Sequence, residues 1–181
     1  MRYLGYREIA FPENADFAEK KRLQSEGGYA LLKELYRAYF GKEPPAVCFA
    51  PSGKPYFEGE GEPHFSLSHD GAAVACVLDT ECAVGLDVAH VRMDTVTQGK
   101  YRHILSRVYS EEERQYVWGG QTNEEKALRF YTLWAKKEAA TKKTGAGIFG
   151  MPPLAKTPPS IENAWVLPYK MQSGVYIFAI V

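Results

Sequence analysis

The sequence lacks the long hydrophobic runs and the charge excess that mark several protein classes. Its apolar stretches fall short of the roughly 18 residues of a membrane helix, and residues 1–17 lack the apolar run of a secretory signal. We therefore expect a cytoplasmic protein that does not enter a membrane. Its 22 basic residues equal its 22 acidic residues in number, which argues against a basic surface for binding nucleic-acid phosphates.

Cysteine is too sparse for a disulfide framework or a thiolate zinc site. The three cysteines, Cys48, Cys76 and Cys82, form no CxxC pair, and we interpret them as small core residues. The hydrophobic fraction of 45% and the charged fraction of 24% are those of a folded globular domain. The length of 181 residues predicts one compact domain, or two small halves that share a core.

Hydrophobic spacing and turn residues predict a mixture of strands and helices. Three neighbouring runs separated by short turns predict an antiparallel meander, and two runs near the C-terminus predict a closing hairpin whose second strand is central. Apolar residues at helical spacing predict two longer helices. The predicted elements are strands at 2–9, 46–49, 64–69, 72–79, 83–88, 161–167 and 174–181, a short helix that opens at residue 110, and longer helices at about 28–40 and 123–145.

This order of elements favours an α+β fold over a doubly wound sheet. We expect one compact unit made of two halves, residues 1–88 and 89–181. Charge is unevenly divided between them: residues 43–87 contain eight acids and one base, whereas residues 92–143 contain eleven bases and seven acids. The two halves are therefore expected to face different partners.

Two acidic residues lie in apolar surroundings. Asp87 ends the strand-like run 83–88, where it is either a solvated or turn-capping acid or a functional one; Glu138 lies on the apolar stripe of the long helix. A structural partner for Glu138 would be Lys142, at i+4, or Lys137 beside it. If Asp87 and Glu138 instead meet, they form an oxygen site that suits Mg²⁺ better than zinc.

Four further side chains are able to contact a phosphorylated ligand. They are His69, Lys54, Lys137 and Lys142. Each also has an ordinary structural interpretation, because His69 lies in a turn, Lys54 lies in a turn, and the helical lysines fit a solvated face. Residue type alone leaves both interpretations open.

These residues lie in four short segments of the chain. In order, the segments are Gly53-Lys54-Pro55, Phe65-Ser66-Leu67-Ser68-His69, Val84-Gly85-Leu86-Asp87-Val88 and Trp134-Ala135-Lys136-Lys137-Glu138-Ala139. The order resembles that of the 4′-phosphopantetheinyl transferases, specifically the Sfp-type group with motifs of the form GKP, FxxSHS, VGxDxE and WxxKEAxxK. The resemblance covers about 90 residues, from Gly53 to Lys142.

The resemblance implies a fold of two similar α/β halves, a pseudo-dimer in one chain, with coenzyme A in the cleft between them. It implies that Asp87 and Glu138 hold Mg²⁺ and, with His69 and Lys142, carry the catalysis. Trp134 would pack beneath the helix rather than react. The implied coenzyme A contacts are Gly53, Lys54, Pro55, Ser68, His69, Lys137 and Lys142, with Lys54 near the 3′-phosphate.

The implied reaction moves the phosphopantetheine arm from coenzyme A to a serine of an apo acyl or peptidyl carrier protein, and it releases adenosine 3′,5′-bisphosphate. Glu138 or a metal-bound water would take the serine proton. The sequence leaves the carrier open, and a monomer is expected because both halves of the cleft lie in one chain. The alternatives are a non-catalytic module that binds coenzyme A or a carrier protein, and an unrelated Mg²⁺ phosphohydrolase.

The chain departs from the pattern at one acid. Many members have a second acid two residues after the aspartate, where this chain has Ala89; we expect an extra water on the metal there. Glu113 matches a family acid, but a capping box with Ser110 accounts for it. The resemblance further implies carrier contacts in residues 93–121, and it leaves Lys20, Lys21 and Arg22 as candidates for the 3′-phosphate.

Overall fold

In the computed structural model, the described residues are 1–95, 102–146 and 164–181. Within these ranges the chain forms eight strands, four α helices and a short 3₁₀ turn. The strands are β1 Arg2–Glu8, β2 Val47–Phe49, β3 Pro55–Phe57, β4 His64–Asp70, β5 Ala73–Asp79, β6 Leu86–His90, β7 Trp165–Met171 and β8 Gly174–Ile180. The helices are α1 Phe17–Phe40, α2 Arg102–Val108, α3 Glu111–Trp118 and α4 Asn123–Thr144.

The first large sheet has the strand order β1-β5-β4 and is antiparallel. Helix α1 packs against it, and it begins 11 residues earlier than the predicted start at about 28. The reason is its N-cap: the Asp16 side chain accepts a hydrogen bond from the Glu19 amide at 2.8 Å. The cap and the tertiary packing outweigh the helix-weakening effect of Gly27 and Gly28.

The second large sheet has the strand order β6-β8-β7 and is also antiparallel. The predicted closing hairpin is confirmed from β7 onward, and β8 is central; the start of its first predicted strand lies outside the described residues. The predicted three-stranded meander is wrong in its third strand. β6 pairs with β8, because β1 already occupies the free edge of β5.

The core is built in layers. Alternate β5 residues face two ways: Val74, Cys76 and Leu78 pack toward α1, whereas Ala73 and Ala75 pack against β6 and β8 of the second sheet. Helix α4 covers the opposite face of that second sheet. In the described part of the chain, no helix is long and apolar enough to cross a membrane.

Strands β4 and β6 join the two sheets through a polar seam. The outward-facing amides of Leu86, Val88 and His90 donate to side chains of β4 rather than to another strand. Their acceptors are Ser66 Oγ at 3.0 Å, Ser68 Oγ at 3.0 Å and Asp70 Oδ2 at 2.8 Å. The seam satisfies an otherwise open strand edge and fixes how the two sheets meet.

The mixed α and β architecture is as expected. Each large sheet has one long helix packed on its outer face. The similarity of the two halves and the division at residue 88, which falls inside β6, stay predictions.

Candidate functional site

Gly85 lets helix α4 approach the strand that carries Asp87. A Cβ at residue 85 would overlap the Ala139 carbonyl oxygen and lie 2.6 Å from the Lys143 amide nitrogen. Only a residue without a side chain fits there. The close approach brings the C-terminal half of α4 onto β6, so the strand and helix motifs form one site.

Asp87 is buried and held by two donors. Its Oδ1 accepts hydrogen bonds from Ser68 Oγ at 2.9 Å and from Lys142 Nζ at 2.8 Å. Burial raises the pKa of Asp87 above its usual value, while the Lys142 charge and the Ser68 hydroxyl oppose that rise. The alternative of a solvated strand-end acid is therefore wrong for Asp87.

Glu138 lies on α4, near Asp87. Burial raises the pKa of its carboxyl group, and the nearby Asp87 charge raises it further. Two partly desolvated carboxylates at one place favour a bound cation. Mg²⁺ fits such a pair, because it commonly uses one or two carboxylates and completes its shell with water and phosphate oxygens. The described residues contain no cluster of three metal-ligating side chains.

The raised pKa of Glu138 predicts a pH-dependent effect on stability. In metal-free buffer we expect Glu138→Gln to have a higher Tm than the native chain at pH 7, because the native chain must hold a partly desolvated charge at residue 138. A folded-state pKa above the usual 4.5 stabilises the fold at low pH, and this contribution is lost as the pH rises through the folded pKa. The Tm difference should therefore vanish below about pH 4.5, as measured by thermal denaturation in EDTA. A pH-independent difference would contradict the assignment.

Two clefts meet at these acids. The first has a volume of about 400 Å³ and lies between α1, the β2–β3 hairpin and α4; the second has a volume of about 250 Å³ and lies between β6 and α4. His69 and Glu138 line both clefts, whereas Asp87 lines the second and Lys142 the first. A ligand that occupies both clefts would pass His69 and Glu138, the two residues that the clefts share.

Two basic side chains flank this junction. Lys142 Nζ bridges the sheets, since it donates to Ser68 Oγ at 2.8 Å as well as to Asp87. Burial lowers the pKa of His69, and the charges of Lys142 and Lys21 lower it further. His69 is therefore a neutral hydrogen-bonding group near pH 7 until an anion binds beside it.

The Gly53-Lys54-Pro55 turn forms one wall of the first cleft, and Ser68 lies at its back. Gly53 has a φ of 82°, which a glycine adopts without strain. The Lys54 ammonium donates to the Val84 carbonyl and to the Lys143 carbonyl in the last turn of α4, where the helix dipole favours a cation. Both of these acceptors are backbone carbonyls of the protein. The contact of Lys54 with a 3′-phosphate therefore stays a prediction.

Lys137 has a different position from the one predicted. It is fully buried and lines neither cleft; its Nζ lies 2.9 Å from Glu113 Oε1 and 5.5 Å from the Tyr109 ring centroid. Glu113 also forms the predicted capping box with Ser110. The pair fastens α3 to α4, so the structure gives Lys137 an internal role rather than contact with a ligand.

Loss of the Lys137 charge should reduce stability. We expect Lys137→Met to lower the free energy of unfolding by about 2 kcal/mol, because it leaves the buried Glu113 carboxylate without its cation. Urea denaturation measures this change. The double variant with Glu113→Gln should recover most of the loss, and equal losses in the single and double variants would show that the ion pair is not the cause.

Sequence reasoning missed several lining residues. Gln24 and Tyr29 of α1 line the first cleft. Gln24 was missed because the helix was predicted to start at about residue 28, and Tyr29 lies inside the predicted helix but in no motif. Asp70 and Arg92 line the second cleft. Asp70 directly follows His69 in the chain, which was a usable signal, whereas Arg92 lies past the end of β6 in no motif.

Comparisons with known proteins agree on one family. Residues 83–165 match the model of the 4′-phosphopantetheinyl transferase superfamily. A 4′-phosphopantetheinyl transferase of Bacillus subtilis is 26% identical over 123 residues, 67% of this chain and 51% of the relative. AcpT of Salmonella typhimurium is 28% identical over 64% of this chain and 58% of the relative. HetI of Nostoc sp. is 29% identical over 78% of this chain and 59% of the relative. Both are named 4′-phosphopantetheinyl transferases, and the chain matches only about half to three fifths of these relatives' lengths.

Proposed function

We propose that the chain is an Sfp-type enzyme that transfers the phosphopantetheine arm of coenzyme A to a serine of an apo carrier protein, since residues 83–165 match the model of the 4′-phosphopantetheinyl transferase superfamily. One observation carries the proposal. Two carboxylates, that of the buried Asp87 and that of the partly buried Glu138, face the junction of two clefts with Lys142 and His69 beside them. A diphosphate that joins two unlike organic groups suits such a junction.

The reaction forms one bond and breaks one. The carrier serine oxygen attacks the β-phosphorus, and the bond from that phosphorus to the oxygen bridging it to the α-phosphorus breaks. Adenosine 3′,5′-bisphosphate leaves with the negative charge that develops on that oxygen. Lys142 and His69 supply hydrogen bonds to the phosphate oxygens, and fixed donors of this kind stabilise the charge as it develops.

The serine proton requires an acceptor. Glu138, which lines both clefts, or a water held by Mg²⁺ would take this proton. Asp87 and Glu138 would hold Mg²⁺, and bound Mg²⁺ would neutralise the diphosphate charge. Ser68 and Lys142 keep the Asp87 carboxylate in place for this contact.

The first cleft is the proposed nucleotide site. Its walls combine the aromatic rings of Tyr29 and Phe49 with backbone and small polar groups, the mixture that adenosine requires. None of the candidates Lys20, Lys21 and Arg22 lines the first cleft; the Lys21 ammonium lies 5.3 Å from the Phe17 ring centroid. Arg22 instead pairs with Glu26 at 2.7 Å.

A non-catalytic binding module is the second candidate, because Ala89 stands where many members of the family have an acid. Release of adenosine 3′,5′-bisphosphate, measured by liquid chromatography, separates the two. The transferase releases it only when coenzyme A, Mg²⁺ and an apo acyl or peptidyl carrier protein are all present. Binding of coenzyme A without release would favour the module, and release without a carrier protein would indicate a phosphohydrolase.

With alanine at residue 89, we expect the protein to supply one carboxylate ligand fewer to Mg²⁺ than the family members that have an acid there. Its methyl group lines the second cleft with Asp87, because residues two apart on a strand share a face. We expect Ala89→Glu to bind Mg²⁺ more tightly, on the order of tenfold, since a third carboxylate would replace a water on the ion. Calorimetric titration with Mg²⁺ in the presence of coenzyme A measures this, and an unchanged affinity would contradict it.

A further inference from the structure

A guanidinium group faces the same small cleft as both acids. Arg92 lies two residues beyond β6, and its side chain lines the second cleft with Asp87 and Glu138. The side chain is 41% exposed, so it reaches a surface that a ligand can enter. Nothing in the proposed reaction has so far used this cation.

Asp70 fixes the direction of that guanidinium. Arg92 donates to its two carboxylate oxygens at 2.6 and 3.1 Å, and Asp70 is itself fixed at the end of the polar seam by the His90 amide at 2.8 Å. The bonds to Asp70 raise the pKa of Arg92, and Tyr131 contributes in the same direction. The group is thus held in place before a ligand arrives, which reduces the entropic cost of binding.

The cation retains binding capacity. A guanidinium has five N–H donors in a planar fork; two of them bond to Asp70 and Tyr131 accepts another, so donors remain for a ligand. Ala89, on the strand segment between Asp87 and Arg92, adds only a methyl group to the cleft wall. An acid at residue 89 would bring a negative charge into the space beside Arg92, whereas the alanine leaves this space open to an anionic ligand.

We propose that Arg92, positioned by Asp70, binds the β-phosphoryl group of coenzyme A, the group that is transferred. This inference rests on the proposed function. The first cleft, which Lys142 lines, receives the nucleotide and its α-phosphate; the phosphoryl group farther from the adenosine then lies toward the second cleft, where Arg92 is the facing cation. Arginine suits this group, because its fork matches two phosphate oxygens.

Three ligands of increasing length test the assignment. Adenosine 3′,5′-bisphosphate has only the α-phosphate, 3′-phospho-ADP adds the β-phosphate, and coenzyme A adds the pantetheine arm. In calorimetric titrations with Mg²⁺ present, Arg92→Gln should lower the affinity for 3′-phospho-ADP and for coenzyme A by about tenfold or more. The affinity for adenosine 3′,5′-bisphosphate should be unchanged. Arg92→Lys, which keeps the charge without the fork, should give a smaller loss.

The matched control is Arg2→Gln. Arg2 also pairs with an aspartate at a strand end, Asp79 at 2.9 Å, and its side chain is 38% exposed, but it lines neither cleft. It should leave all three affinities unchanged. Equal weakening of all three ligands by Arg92→Gln, weakening of coenzyme A alone, or no weakening would each overturn the proposal. Failure of the native chain to bind coenzyme A would instead overturn the proposed function.

Discussion

Replacing Asp87 with asparagine should lower kcat for phosphopantetheine transfer by at least about a hundredfold. The loss of one preorganised electrostatic group in an active site typically has an effect of this size, and here the change also removes a carboxylate ligand for Mg²⁺. The asparagine side chain would keep the shape of the native one and an oxygen able to accept from Ser68 and Lys142. The expected loss therefore reports on charge rather than on packing.

Asp79→Asn provides the control for this experiment. Asp79 is also buried and also accepts from a basic side chain, Arg2, but it lies outside both clefts. We expect kcat to change by less than about threefold in this variant, since the substitution acts on stability rather than on the reacting groups. Equal losses in the Asp87 and Asp79 variants would contradict a catalytic role for Asp87.

Gly85→Ala should lower the free energy of unfolding by about 3 kcal/mol or more. Overpacking a tight interior typically costs about 1–3 kcal/mol when side chains can adjust. Here the added methyl group meets the Ala139 carbonyl and the Lys143 amide, both backbone atoms of α4. The whole helix must then move away from β6, so Glu138 should also separate from Asp87. Urea denaturation measures the stability. Titration with Mg²⁺ measures whether the separated acids bind the ion more weakly.

Gly28→Ala is the matched substitution. Gly28 lies within α1, and a Cβ there would meet nothing within 4 Å. Alanine has a higher helix propensity than glycine by roughly 0.8–1.0 kcal/mol, so this variant should be as stable as the native chain or more stable. If both variants lost stability to the same degree, the close approach of α4 would not explain why residue 85 must be glycine.

The acid pair was predictable from sequence because each acid lies next to apolar residues whose spacing reveals the element. Asp87 follows a strand-like run, and Glu138 follows Trp134 on a helical stripe. The partner of β6 was not predictable in this way. Short turns suggest that β6 continues the hairpin, and only the presence of β1 on the other edge of β5 excludes it.

Lys137 shows where helical spacing stops being informative. Spacing placed it with the lysines of a solvated face, yet it is buried because a second helix, α3, supplies Glu113 against that face. Which residues of another element lie opposite is a property of tertiary packing. The same holds for Arg92, whose place in the second cleft depends on its bonds to Asp70, 22 residues away in sequence.

Modification of a carrier serine by means of Asp87 and Glu138 is the proposed activity of this chain. It is tested by the intact mass of a purified apo carrier protein after incubation with coenzyme A, Mg²⁺ and the chain, in parallel with Glu138→Gln. We expect the native chain to add one phosphopantetheine and the variant, which should remain folded, to add none on the same timescale. Equal modification by both, or no modification of any acyl or peptidyl carrier by the native chain, would contradict it.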